Sequence, residues 1–200
     1  MDLSQVSRTA ILTLICHAVE AEKNKSDFKD PMAVLCLERL MSVASGEDKR
    51  WIIRKKRRYE GIGARDAKAL IRRVKVFDDA VHRFIAANPN CTVINLACGF
   101  DTRFWRIENE TIKYVELDFP EVIQLKKEIL KDHLGHEVIA GSVLDTSWID
   151  KVTKNGNTDF LLLAEGLFMW FPPQDAIRLF KEIGERFYRS QLVLDMVSEK

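Results

Sequence analysis

Two carboxylates that end strand-like runs are the residues in this sequence best placed to do chemistry. Lys113-Tyr-Val-Glu-Leu-Asp118 reads as a short strand ending in an acid, nineteen positions after Gly99. That offset is close to the roughly 20 residues at which an acid on a second strand meets the ribose hydroxyls of a nucleotide-like ligand. Asp159-Phe-Leu-Leu-Leu-Ala-Glu165-Gly166 is apolar up to its terminal acid, as expected of a strand covered on both faces. A carboxylate there is costly to bury without a partner, so Glu165 is either a site residue or an acid that caps the following turn. Between Asn90 and these runs lies Val93-Ile-Asn-Leu-Ala-Cys-Gly-Phe-Asp-Thr-Arg-Phe-Trp-Arg106. Its β-branched start stops at the small residues Ala97 and Gly99 and gives way to a polar cluster led by Asp101. This is the pattern of a buried strand entering a tight turn. Open α/β sheets bind nucleotide-like ligands at such turns, where small residues let a ligand lie against the backbone.

These groups need elements to hold them. After Val93, helix and strand patterns alternate, which predicts right-handed crossovers and a mostly parallel sheet. Pro120 opens a helix to about His133, Glu137 to Ala140 is a short third strand, and Ser147 or Asp145 can cap the next helix. Pro172-Pro173 begins a helix through Phe187, and Gln191 to Met196 gives a fifth strand. Ahead of the sheet, Ser7 to Glu22 places Ile11, Leu12, Leu14, Ile15, Ala18 and Val19 on one side of a helix. Asp30-Pro31 caps and opens a second helix, Met32 to Val43. Gly61 and Gly63 break a basic helical stretch, and Ala64 to Ala87 forms a long amphipathic helix ended by Asn88-Pro89-Asn90. We therefore expect a helical cap or lid over residues 1–63 and a Rossmann-like core over residues 64–200.

Composition narrows the function classes. With 200 residues, 46% of them hydrophobic, and a formal net charge of +1, the chain suits a globular fold with one proper core. Bulk charge gives no case for nucleic acid or membrane as partner. The one strongly basic run, Arg50 to Tyr59, reads as a solvated helix face with long basic stems; the other reading is a phosphate or RNA face with Trp51 and Tyr59 as stacking groups. Cys16, Cys36, Cys91 and Cys98 have no metal-type spacing, so no metal is expected, and the thiols are expected reduced in a cytoplasmic protein. No apolar run reaches the roughly 18 to 20 residues that a membrane span requires. His17 on the first helix reads either as a site residue or as a packed one.

Several blocks resemble the leucine carboxyl methyltransferase superfamily, which includes polyketide-pathway O-methyltransferases of the tetracenomycin type. They are Asn95-Leu-Ala-Cys-Gly99-Phe-Asp101-Thr-Arg103, Glu116-Leu-Asp118-Phe-Pro-Glu-Val-Ile123 and Ala164-Glu165-Gly-Leu-Phe-Met-Trp170, with Thr9-Ala10, Asp30-Pro31 and Arg73-Val-Lys-Val-Phe-Asp-Asp79 ahead of them. The resemblance runs from about residue 7 to residue 197. It implies a class I methyltransferase sheet and an S-adenosylmethionine-dependent O-methyltransferase, acting on a carboxylate or hydroxyl of a small molecule or on a C-terminal carboxylate. Carried over by position, Arg73 would hold the methionine carboxylate, and Ala97, Gly99 and Asp101 would form the cofactor loop. Asp118, with Phe119 beside it, would serve the ribose, and Glu165 the methionine ammonium. A guanidinium suits a planar carboxylate, and acids suit hydroxyl and ammonium donors. An ionised carboxylate acceptor needs no general base, so no catalytic base is assigned.

The sequence departs from that family in a few places. Ala97 stands where glycine is usual, and His17 lies near where relatives place a basic residue beside the cofactor carboxylate. Ser142 stands where relatives often carry Asp, which leaves adenine recognition to Val143, Leu144 or Asp145. The family pattern continues with a helix and two more strands after the fifth, whereas this sequence stops at Lys200; either it is a fragment of a longer chain, or the open fifth-strand edge is protected by another chain, as in a homo-oligomer. Two other classes compete with the enzyme. One is an S-adenosylmethionine-binding protein with little turnover. The other is an NAD-dependent oxidoreductase, against which the missing Gly-x-Gly-x-x-Gly run and the presence of Glu165 both count.

Overall fold

The computed structural model describes residues 8–107, 109–154 and 159–196. They fall into two compact units. One holds Met1–Asp78, Gly99–Glu108 and Gln124–Gly135, and the other Asp79–Cys98, Asn109–Ile123 and His136–Lys200.

The first unit is helical. Helix α1 (Arg8–Ala21) buries Ile11, Leu14, Ile15, Ala18 and Val19 of the expected stripe, leaves Leu12 half-buried, and buries Cys16, His17 and Glu20 as well; it packs against α2 (Pro31–Val43) and α3 (Gly46–Glu60). Each fully buried aliphatic side chain of this kind stabilises the fold by about 1.5–3 kcal/mol. Asp30 is the N-cap of α2, its Oδ1 accepting the Ala33 N–H at 3.0 Å, and Pro31 occupies the first turn, where its missing N–H costs nothing. Ser45 caps α3 through the Asp48 N–H. Acids open α3 and Arg57 and Arg58 close it, so both ends complement the helix dipole. Ile52 faces inward, Arg54, Arg57 and Arg58 are exposed, and Lys55 and Lys56 are half-buried, so the basic run lies on a helix and winds around more than one side of it. The long helix α4 (Ala64–Ala87) begins in this unit and ends in the other.

The second unit is a five-stranded parallel sheet in the order β3-β2-β1-β4-β5. Its strands are β1 (Thr92–Leu96), β2 (Lys113–Asp118), β3 (Glu137–Ala140), β4 (Phe160–Ala164) and β5 (Ser190–Leu194). Every residue of β1 and β4 is buried, which explains why β4 is a continuous apolar run instead of an alternating one; β1 buries the polar Thr92 and Asn95 among its apolar residues. Ile94, Leu96, Val115, Leu117, Leu162, Trp148 and Phe187 join in one core cluster. Helix α5 (Arg103–Ile107) belongs to the first unit and α6 (Pro120–Leu130) is divided between the two at Ile123, whereas α7 (Ser147–Thr153) and α8 (Pro173–Arg186) belong to this unit.

Some expected boundaries shift. The helix from Pro120 leaves α geometry at Leu130 and closes with a 3-10 turn, Lys131–His133. The fifth strand spans Ser190–Leu194 and not Gln191–Met196. Neither Ser147 nor Asp145 is the N-cap of α7. Thr146 holds that position, and Asp145 Oδ1 instead accepts the Ser147 N–H at 3.2 Å. None of the four cysteines is in a disulfide, and all are buried; burial pushes the Cys16 thiol up to about 12 and the Cys91 thiol up to about 11, away from the reactive thiolate. Among the described residues no helix is long and apolar enough to cross a membrane.

Candidate site at the carboxyl edge of the sheet

In the strand order, β1 and β4 are neighbours whose chains wind away in opposite directions. This is the switch point at which open α/β sheets take ligands, beyond the carboxyl ends of the strands. The parallel register pairs Leu96 with Leu117, Asp118 with Ala140, and Ala164 with Leu194. Ala97, Asp118, Gly141, Glu165 and Asp195 therefore all stand at one edge of the sheet. Asp118 is 7% exposed. Its Oδ1 accepts the Phe119 N–H at 2.7 Å, and its backbone carbonyl accepts the Gly141 N–H at 2.8 Å. The carboxylate is thus fixed by its own turn, and Phe119 beside it is 57% exposed. Glu165 is half-buried and is followed by Gly166 with φ 68°. The Gly166 N–H donates to Asp195 Oδ1 at 2.6 Å.

After β3, Ser142 Oγ accepts the Leu144 N–H at 3.2 Å, so the serine that replaces the expected acid braces the turn. Val143 sits in the core cluster, its carbonyl accepting the Trp148 indole N–H at 3.1 Å; Leu144 packs against the same cluster, half-buried. After β1, Ala97 has φ 51°, in the left-handed region, which costs an L-residue roughly 1–2 kcal/mol. The sequence treats Ala97 as small enough for this turn, but the backbone angle is the stricter demand. Ala97→Gly is expected to raise stability by about 1 kcal/mol, net of glycine's extra chain entropy, read as a rise of the urea midpoint at unchanged slope.

In the helical unit, Gly99 has φ 52°, and a Cβ on it would lie 3.0 Å from the Ala10 Cβ. Glycine is required there by backbone angle and by α1 itself, whatever a ligand also demands. Asp101 sits in an ionic cluster that the sequence does not reveal. Arg103, wholly buried, donates from Nε to Asp78 at 2.6 Å and from Nη1 to Asp101 at 2.5 Å. Arg106 reaches Asp30 at 2.7 Å and Asp78 at 2.9 Å. Thr102 Oγ1 donates to Asp30 Oδ2 at 2.6 Å, and Lys126 Nζ donates to the Asp101 carbonyl at 2.8 Å. His17, 2% exposed, holds Nδ1 3.1 Å from Asp30 Oδ2, while its Nε2 has no hydrogen-bond partner among the described residues. Arg73 is half-buried on α4.

This cluster sets an acid limit on stability. Burial alone would raise the Asp101 carboxyl, but Arg103 and Arg106 outweigh it and hold the group well below the usual range. Asp30 is likewise lowered, its burial offset by His17 and Arg106. Both folded values lie below the unfolded value of about 3.9. The stabilisation is therefore complete above about pH 4 and lost as pH falls toward the folded values. Denaturant unfolding near pH 6 and near pH 3 should show a marked loss of stability at the lower pH, with a shallower loss in Asp30→Asn.

Sequence reasoning thus locates Ala97, Asp118, Phe119 and Glu165 at the carboxyl edge of one sheet, and Val143 and Leu144 on the turn after β3. Arg73, Gly99 and Asp101 belong to the helical unit. It misses Arg103, Arg106 and Lys126, whose partners are distant in sequence. It also misses Asp195, which follows only the short apolar stretch Leu192-Val-Leu194.

A parallel sheet in this order with an acid closing its second strand defines a Rossmann-like α/β protein. The family model described as leucine carboxyl methyltransferase matches residues 10–184, and the chain belongs to that family. It is 28% identical over 134 residues to the tetracenomycin polyketide synthesis O-methyltransferase TcmP of Streptomyces glaucescens, covering 66% of this chain and 49% of that protein. It is 21% identical over 192 residues to the S-adenosyl-L-methionine-dependent methyltransferase dpfgK of Gibberella zeae, covering 92% and 62%. With leucine carboxyl methyltransferase 1 of Bos taurus the identity is 23% over 136 residues, covering 52% and 41%. The chain thus spans about half the length of these curated relatives.

Proposed function

We propose that this chain carries the S-adenosylmethionine-binding part of an O-methyltransferase whose acceptor is a carboxylate or hydroxyl, on a small molecule or at a peptide C-terminus. The observation that carries this reading is the pair of acids at the switch point: Asp118 ends β2 on one side of β1, and Glu165 ends β4 on the other. The two separate donor types of the cofactor suit them. A ribose diol offers two O–H groups to a carboxylate held rigid by its own turn, and an ammonium matches an acid at the mouth of an otherwise apolar strand. Phe119 and Leu144 supply apolar surface beside the ribose acid for a purine. The roles of Arg73, Gly99 and Asp101 rest on the sequence resemblance. When bound, the cofactor supplies a methyl group already activated by its sulfonium. The protein's task is then to align an acceptor oxygen and exclude water, with no base required for an ionised carboxylate.

The test is incubation with methyl-labelled S-adenosylmethionine and panels of carboxylate and hydroxyl acceptors. Label released from the product by mild alkali marks a methyl ester and so a carboxylate acceptor; alkali-stable label marks an ether. Absence of transfer to either class, by a chain that binds the cofactor, would leave a binding protein and refute the enzymatic part of this proposal.

A further inference from the structure

Asp195, the acid that follows β5, takes no part in the reading above, yet the register brings it beside Glu165. Ala164 and Leu194 are paired across parallel strands, so the next residue on each strand is a carboxylate. Two neighbouring carboxylates repel, so each has to be committed to a donor that stabilises its charge. Asp195 is so committed: its Oδ1 accepts the Gly166 N–H at 2.6 Å, a short bond of the charge-assisted kind. The bond lies on the peptide that joins Glu165 to Gly166. It therefore fixes the plane that sets how the Glu165 side chain leaves the strand. Gly166 itself is in the left-handed region, at φ 68°, where the chain turns sharply out of the sheet. Its carbonyl accepts the Trp170 indole N–H at 3.1 Å, so the turn is pinned at both its donor and its acceptor.

We propose that Asp195 is a positioning residue: by holding the Gly166 amide it sets the Glu165 carboxylate for the methionine ammonium of the cofactor. This inference rests on the cofactor reading given above. Its signature is selective. Losing Asp195 weakens ligands that carry the amino-acid moiety and spares those that lack it, because the ribose acid on β2 is untouched.

The experiment compares S-adenosylhomocysteine with methylthioadenosine, which keeps the adenosine and lacks the amino acid, by calorimetric titration of wild type, Asp195→Ala and Asp195→Asn. In Asp195→Ala we expect the Kd for S-adenosylhomocysteine to rise about tenfold, the worth of one well-placed charged hydrogen bond, with methylthioadenosine unchanged. Asp195→Asn retains an oxygen acceptor for the Gly166 N–H and should recover most of the loss. Should the alanine variant not fold, Asp195→Glu keeps the charge, displaces the acceptor by one methylene, and should show the same selective loss. Equal weakening of both ligands, an asparagine variant as impaired as alanine, or no change at all would each overturn the positioning role. Failure of the wild type to bind either ligand would instead overturn the cofactor reading itself, and this inference with it.

Discussion

Asp118→Ala is expected to raise the Kd for S-adenosylmethionine about ten- to hundred-fold while the chain still folds. The lost interaction is a hydrogen bond to a charged acceptor, worth about 1.5–3 kcal/mol, and the carboxylate is held in advance by the Phe119 N–H, so little ordering is needed on binding. The fold should lose less. The freed Phe119 amide costs about 0.5–1.5 kcal/mol, whereas the backbone bond from Gly141 to the Asp118 carbonyl survives the substitution. Asp118→Asn should lie between the two. A titration showing unchanged affinity in the alanine variant would remove Asp118 from the site.

Arg103→Leu is expected to destabilise the chain by about 3–5 kcal/mol, the usual result of removing one partner from a buried ionic group. At roughly 2–4 °C per kcal/mol for a chain of this size, the melting temperature should drop by about 10 °C. The guanidinium is wholly buried between the Asp78 and Asp101 carboxylates and lies over the Phe77 ring at 5.6 Å. Leucine fills part of the volume but leaves both acids short of a counter-charge, with Arg106 left to serve them. Arg103→Lys should recover only part of the loss, because a single ammonium cannot reproduce the fork that meets two acids at once. Urea unfolding measures both variants. A loss below about 1 kcal/mol, the range of a solvated surface pair, would show that the cluster does not carry the stability assigned to it.

The contrast between these two predictions marks what the sequence makes legible. Glu165 is visible because a strand buried on both faces is written as an unbroken apolar run, and an acid ending such a run stands out; Asp118 is visible by its offset of nineteen positions from Gly99. Asp195 follows only the short apolar stretch Leu192-Val-Leu194 of a more exposed strand, and the pairing of Ala164 with Leu194 reveals what it faces. The short helix α5 is not legible, because five residues carry no usable periodicity. Its arginines are held by partners far away in sequence: Asp78 lies 25 positions before Arg103, and Asp30 lies 76 before Arg106. Asp30 is read correctly as a helix cap, but its second oxygen serves Thr102, 72 positions on. Ala97 shows a different limit, since its size can be read from the chain and its backbone angle cannot. Parallel pairing follows from alternating helices and strands, whereas the placing of β4 beside β1, which creates the switch point, has no local signature.

Calorimetric titration of the chain with S-adenosylhomocysteine, run beside an identical titration with NAD, tests the central claim most directly. The acids at the carboxyl edge predict saturable binding of S-adenosylhomocysteine, abolished or strongly weakened in Asp118→Ala, and no binding of NAD. Saturable binding of NAD, or an S-adenosylhomocysteine affinity indifferent to Asp118, would contradict it.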